Sequence, residues 1–422
     1  MRLLFLLRDT YPPTRPDVDV LFGRYLPSLE ISSFLVSQRE SPGPAIENAE
    51  WGGGEASVCR RYPRAPARNL LVDLIHDLAA LASRSNRYDA IQVRDKILVA
   101  GIGLLVARLR GLPFIYWMSF PFPEAYLALV KTRRRTLGPL RSGFNLLRGQ
   151  LGYTLLYRIV LPHADHIFVQ SERMRAELVR RGVLADRMTA VPMGVELERA
   201  CEALGAPRDS QPRTAGRRVV AYLGALERQR QADFLLKVVS RLRARYPTIL
   251  LLVIGDSSEP GDREWLRERA VALGVDDLIE WCGWLPRAQA WQRLRSAEVG
   301  LSPIPPGFLF DVSSPTKVIE YLALGLPVIA NPIPDQAQVI AESRAGLCVE
   351  YTPEAFAAGL DRLFSDSQIR KAMGAAGPPY VAKHRSYAVL ARGVAERYHV
   401  LMGRESGSAR IGPASIPSGG TS

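Results

Sequence analysis

Short runs of consecutive apolar residues alternate along the chain with longer stretches in which apolar positions recur every three or four residues. Runs of the first kind, bounded by Pro, Gly or charge, read as strands buried on both faces. The periodic stretches read as the helices that cover them. In the first half, strands are expected at Arg2–Leu7, Ser32–Ser37, Ala90–Val93, Pro113–Met118, His166–Gln170 and Met188–Val191. Helices are expected at Leu70–Ser83, Leu98–Leu109 and Glu172–Arg181, and within Glu124–Val160. The pattern lapses over Arg199–Arg217, which is rich in Ala, Gly, Pro and Arg and reads as a linker. It restarts with strands at Val219–Leu223, Ile249–Ile254, Ile279–Cys282, Val299–Ser302, from Pro327 onward and at Gly346–Val349. Helices between and after them are expected at Asp233–Arg245, Arg263–Leu273, Arg287–Ser296, Pro353–Phe364 and Ala388–Met402. Two α/β units of similar size follow, each with a parallel sheet, and a ligand is expected at the carboxyl ends of their strands. The tail 404–422 is rich in Gly, Ser and Pro and is read as disordered.

Composition narrows this picture. A net charge of +13 and a pI near 9.8 favour anionic partners such as nucleotide diphosphates or acidic lipids. No nucleic-acid module accompanies the charge, so nucleic acid is not expected as a partner. Cys59, Cys201, Cys282 and Cys348 are far apart, with no C-x-x-C pair, so neither a zinc site nor a disulfide framework is implied. A reducing, cytoplasmic setting is the expectation. The run Ile97–Ala107 has eleven apolar or small residues, too few to cross a bilayer, and reads as a buried helix.

The segment Ser313-Ser314-Pro315-Thr316-Lys317-Val318-Ile319-Glu320 reads as a loop opening a short helix, with Pro at its first turn and Gly325 past its end. Unpaired N–H groups and the positive dipole end make such a helix start a phosphate site, here flanked by Ser314, Thr316 and Lys317. Glu320, about one turn on, is placed to reach two sugar hydroxyls. The plainer reading is a capped helix with a solvated lysine. Gly224 permits a tight turn after its strand, and Arg228 and Arg230 beyond it can bracket a diphosphate. The rival reading is two solvated loop arginines.

The spacing Glu320, Ala323, Gly325, Pro327, Val328, Ile329 resembles the signature of the family 4 retaining glycosyltransferases. That family has the GT-B fold, two Rossmann-like domains facing a cleft. The resemblance is strong over roughly Asp165–Phe364, where Val191-Pro192-Met193-Gly194-Val195-Glu196 matches the hinge motif, and weak before it. It implies a first domain at 1–198 on the acceptor side, a linker at 199–217, a nucleotide-sugar domain at 218–376 and a helix at 377–403 crossing back to the first domain. The implied reaction is hexosyl transfer, with retention, from a nucleotide diphosphate sugar to an acceptor hydroxyl in cell-surface polysaccharide or glycolipid synthesis. No cofactor and no metal are implied. Arg228, Arg230 and Lys317 would neutralise the diphosphate and Glu320 would hold the ribose. The backbone at Gly283 and Trp284 would hold the base, although Trp284 reads equally as core.

The chain also departs from the family pattern. Many members carry an acid eight residues before the helix glutamate; Val312 stands there, with Asp311 beside it as a substitute. Ser119 occupies a position that is often His, and the glycine pair after the first strand is absent, leaving Asp17 and Ser119 as acceptor-side candidates. These departures keep two rivals open: a nucleotide-sugar epimerase or phosphorylase, and a catalytically silent partner protein of the same fold.

Between Ala125 and Ala164 no acidic residue occurs, while Lys131, Arg133, Arg134, Arg135, Arg141, Arg148 and Arg158 interleave with leucines and aromatics. Such a segment, 124–161, either lies on an anionic membrane surface, holding the protein at the inner face of the cytoplasmic membrane near a lipid-linked or saccharide acceptor, or covers the first domain as a cationic helical hairpin.

Overall fold

The computed structural model describes residues 1–83, 87–205, 213–259 and 261–403. The first sheet contains β1 (Arg2–Leu7), β2 (Ser32–Gln38), β3 (Ile46–Trp51), β4 (Gly54–Cys59), β5 (Ala90–Arg94), β6 (Phe114–Met118), β7 (His166–Val169) and β8 (Met188–Ala190). Their order is β3-β4-β2-β1-β5-β6-β7-β8, parallel except for β3. The second sheet contains β9 (Arg218–Leu223), β10 (Ile249–Ile254), β11 (Ile279–Gly283), β12 (Val299–Ser302), β13 (Val328–Ala330) and β14 (Gly346–Cys348). It is wholly parallel, in the order β11-β10-β9-β12-β13-β14. Both sheets reverse direction beside their first strand, at β1/β5 and at β9/β12. Loops leaving neighbouring strand ends diverge there and open a crevice. Apolar clusters fill both faces of each sheet, as two parallel sheets sandwiched between helices require.

Several sequence expectations change. The expected linker begins as a helix, Leu197–Gly205, whose Ala200 and Ala203 are buried in a second-domain cluster; residues 206–212 lie outside the described residues. The expected crossing helix at 377–403 is two helices, Ser367–His384 and Tyr387–Leu401. The chain crosses between them, where Val195 N–H donates to Arg385 O at 2.9 Å and Tyr387 N–H donates to Val195 O at 3.0 Å. Tyr387, Ala391, Val394 and Tyr398 then complete the first domain's core. The run at Ile97 is a helix, Ile97–Arg110, but it is not buried all round: Leu98, Leu105 and Leu109 are 56%, 60% and 78% exposed.

The basic segment forms one long helical stretch, Phe122–Thr154, folded back on itself. Gly138 takes a left-handed φ of +74° and Pro139 follows, which interrupts the helical ladder. A Cβ at Gly149 would lie 2.8 Å from Leu127, and the Arg148 guanidinium lies 4.4 Å from the Tyr126 ring centre, so the two arms run side by side. The side chains of 132–137, Arg133, Arg134 and Arg135 among them, lie outside the described residues, as does the tail expected to be disordered.

Candidate functional site

The second domain's half of the cleft is floored by glycine. Gly224 follows β9 with φ +150°, and Gly224 N–H donates to Ile254 O at 2.9 Å. A Cβ there would lie 3.2 Å from the Tyr222 hydroxyl and 3.4 Å from Lys317 Nζ, so the lysine passes directly over this backbone. Lys317 Nζ lies 4.3 Å from the Tyr222 ring centre. Burial, then the positive charge of Arg230, push the Lys317 amine down to about 7, against the opposing pull of Glu320. A cationic group kept this reluctant to charge regains its proton when an anion binds beside it.

Lys317 and Thr316 open the helix Thr316–Ala323, whose first turn has no side-chain cap. Its free N–H groups point where an anion is stabilised by the helix dipole. Glu320 is buried one turn on, and Trp291 Nε1–H donates to its Oε1 at 3.1 Å. Burial raises the Glu320 pKa, and Arg287, Trp291 and Lys317 work against that rise. No donor to the second carboxylate oxygen is present among the described residues, which leaves it available to a ligand's hydroxyls.

The two loop arginines part company. Arg230 Nε donates to Glu227 at 3.1 Å, and its guanidinium lies 6.0 Å from the Phe310 ring centre and within electrostatic reach of Lys317. Arg228 instead pairs with Asp262 at 2.9 Å and lies over Trp265. Ser314, expected beside the phosphate, is corrected. Its hydroxyl accepts from Met193 N–H at 2.9 Å and donates to Asp335 at 2.7 Å, so it is committed to the domain joint. Asp311 turns back to accept from Gly307 N–H at 3.4 Å. Val312 is buried, and Ser171 of the first domain donates to its carbonyl at 2.6 Å. Gly283 has φ +68° with open space beside it, and Trp284 is 72% exposed, which removes the core reading of that tryptophan.

On the first domain's side both candidates are internal. Asp17 pairs with Arg94 at 2.7 Å beneath the surface. Burial alone would raise the Asp17 pKa, but Arg94 and Arg15 outweigh it and hold it below the usual range. Ser119 donates both its hydroxyl and its N–H to Asp95 and is fully enclosed. Arg94, Asp95 and Asp17 therefore form, with the partly exposed Asp9, a charged network at the β1/β5 switch. Asp95 has a left-handed φ of +58°, a strained conformation of the kind concentrated at functional sites. The sequence reading missed Arg94, Asp95, Arg287 and Trp291. The position of Arg94-Asp95 at the end of an expected strand was the available signal for the first two.

Residues 18–194 match the family model described as glycosyl transferase 4-like domain, and residues 217–366 match the one described as glycosyl transferases group 1. The chain belongs to the group 1 glycosyltransferases. The transferase is 26% identical to the D-inositol 3-phosphate glycosyltransferase of Arthrobacter sp. (strain FB24), over 91% of this chain and 88% of that protein. It is 25% identical to that of Pseudarthrobacter chlorophenolicus, over 88% and 84%. Among solved structures it superposes on Anabaena HepE in complex with UDP and glucose (TM-score 0.69, 14% identity, 95% of this chain and 100% of that one). It also superposes on sucrose-phosphate synthase from Thermosynechococcus elongatus (TM-score 0.70, 17% identity, 96% and 100%). These likenesses establish the GT-B fold.

Proposed function

We propose that the transferase binds a nucleoside diphosphate sugar in the second-domain half of the cleft and passes the sugar to an acceptor hydroxyl. The observation that carries this is Lys317 lying over Gly224, beside Arg230, at the uncapped start of a helix that holds Glu320 one turn on. In this reading the diphosphate rests on the first-turn N–H groups and Thr316. Lys317 and Arg230 neutralise the negative charge that grows on it as the sugar–oxygen bond breaks, without a metal. The free oxygen of Glu320 accepts from the ribose hydroxyls, and the open backbone at Gly283 with the exposed Trp284 receives the base. Retention of configuration is part of the same reading. The D-inositol 3-phosphate glycosyltransferases support a small polar hydroxyl acceptor, and the UDP-bound neighbour supports a nucleotide donor. The epimerase, phosphorylase and silent-partner readings find no observation in their favour.

A panel of UDP, GDP and ADP tests the donor reading. At a ligand concentration of about 100 times Kd the expected stabilisation is roughly 2.7 kcal/mol, read as a rise in Tm. No shift with any of the three would overturn it.

The second part of the proposal is attachment to an anionic membrane surface, at the inner face of the cytoplasmic membrane. No helix among the described residues is long and apolar enough to cross a membrane. Leu140, Phe144, Leu147 and Leu151 are exposed on the second arm of the hairpin, as are Leu98, Leu105 and Leu109 on the neighbouring helix. Arg141 is exposed among them. Apolar side chains that enter the headgroup region, ringed by basic ones, suit a shallow interfacial seat. The double variant Phe144→Glu/Leu147→Glu should abolish co-sedimentation with phosphatidylglycerol vesicles while leaving Tm unchanged. Unchanged co-sedimentation would refute the membrane reading.

A further inference from the structure

Resting on the donor reading above, we propose that Val312 and Ser171 form a latch by which the first domain positions the donor loop, so that the nucleotide site is complete only when the cleft is closed. Val312 belongs by sequence to the second domain. Yet it is 1% exposed and lies in the apolar cluster of the first domain, with Met174 and Leu178. Its carbonyl accepts from the Ser171 hydroxyl at 2.6 Å, and the same hydroxyl accepts from Met174 N–H at 3.0 Å, capping the helix Glu172–Arg180. Two residues further, Ser314 is tied to first-domain Met193 N–H at 2.9 Å. The loop that delivers Thr316 and Lys317 therefore hangs on the first domain at two points, 312 and 314.

From Val312 to the start of the phosphate-facing helix is only four residues, one of them proline. A segment that short has little slack, at most about 3.3–3.6 Å per residue when extended. Cleft opening must withdraw the Val312 side chain from its apolar seat and break the Ser171 bond. The loop then loses the supports that aim the N–H groups of 316–318 and the Lys317 amine. Val312 and Ser171 are thus positioning residues: they touch no substrate and act through the loop. The identity of residue 312 follows from this role. A carboxylate there would enter the apolar cluster that holds Met174 and Leu178, where burying a charge is costly.

The test compares Val312→Glu, Val312→Ile, Ser171→Ala and Ser171→Thr in the full chain. Calorimetric Kd values for UDP and GDP, steady-state KM values for donor and acceptor, Tm, and the radius of gyration without nucleotide are measured. Losing a charge-assisted hydrogen bond to the diphosphate costs on the order of 10- to 100-fold in affinity. V312E is therefore expected to weaken nucleotide binding by about that factor and to enlarge the ligand-free molecule. V312I keeps apolarity and adds one methylene to the seat, and is expected to bind within a few-fold of the parent. S171A is expected to raise donor KM with acceptor KM unchanged, and S171T to restore it. A purely structural role for these residues would lower Tm and leave Kd alone. If V312E does not fold, Val312→Ala takes its place, with a raised Kd supporting the latch and an unchanged one overturning it. Nucleotide binding by the parent together with unchanged Kd in the variants overturns the latch alone. Absence of nucleotide binding by the parent overturns the donor reading and the latch with it.

Discussion

Lys317 is held where its own charge is disfavoured, with its pKa pushed down to about 7 by burial and Arg230. In the unfolded chain the amine keeps its usual value of 10.5. Between those values the unfolded chain binds a proton that the folded one lacks, so this residue makes stability rise with pH across that window. Below 7 the penalty is complete. Lys317→Met is therefore expected to raise the Tm of the ligand-free protein at pH 6.5 while lowering kcat by about 10²–10³, the size of losing one preorganised charge-stabilising group. Donor KM should climb above pH 7 in the parent and flatten in Lys317→Arg, which stays charged; a pH–KM profile from 6 to 9 reads both. Glu320→Gln tests the ribose contact. A hydrogen bond to a charged group contributes roughly 1.5–3 kcal/mol, so donor KM should rise about 10- to 100-fold.

The strand ends and turns around these residues set how close their groups can come. Gly224 is needed because its φ of +150° is one that a residue with a side chain rarely adopts, and because a Cβ would press on the Tyr222 hydroxyl at 3.2 Å and touch the Lys317 amine at 3.4 Å. Gly224→Ala should cost on the order of 1–3 kcal/mol of stability from backbone strain, and a methyl set against the Lys317 amine should lower activity further than the drop in Tm accounts for. The fold of the long Phe122–Thr154 stretch depends on Gly138 in the same way, but far from the chemistry. Gly138→Ala should lower stability modestly, by roughly 1–2 kcal/mol, and leave kcat on a soluble acceptor unchanged. Strands such as β1 and β10 were legible because burial on both faces writes an unbroken apolar run. The β3–β4 hairpin was missed because it lies at the sheet edge, with polar residues such as Glu50 and Glu55 in its strands. The helix Leu197–Gly205 was missed because two small alanines, rather than a large apolar stripe, make its buried face.

At the scale of the molecule, the two domains meet through a buried polar joint. Arg385 donates to Asp335 at 2.7 Å, Asp335 accepts from Ser314, and Ser314 accepts from Met193 of the first domain. Removing one partner of a buried pair leaves the other charge stranded, so Arg385→Met should destabilise by roughly 3–5 kcal/mol and Arg385→Met/Asp335→Leu should recover much of that. Chemical denaturation of the two variants checks it. The sequence by itself determined the two α/β halves and the short helix that carries Thr316, Lys317 and Glu320, because each depends on neighbours a few residues away. Only the tertiary structure decided the rest. Arg228 found Asp262, Asp17 found Arg94, and Ser119 found Asp95. Ser314 and Val312 were claimed by first-domain partners 121 and 141 residues distant. A polar side chain's local pattern states what it can bond. Which partner it bonds is fixed by burial, since an enclosed group must take the nearest partner the fold supplies or bear the cost of having none.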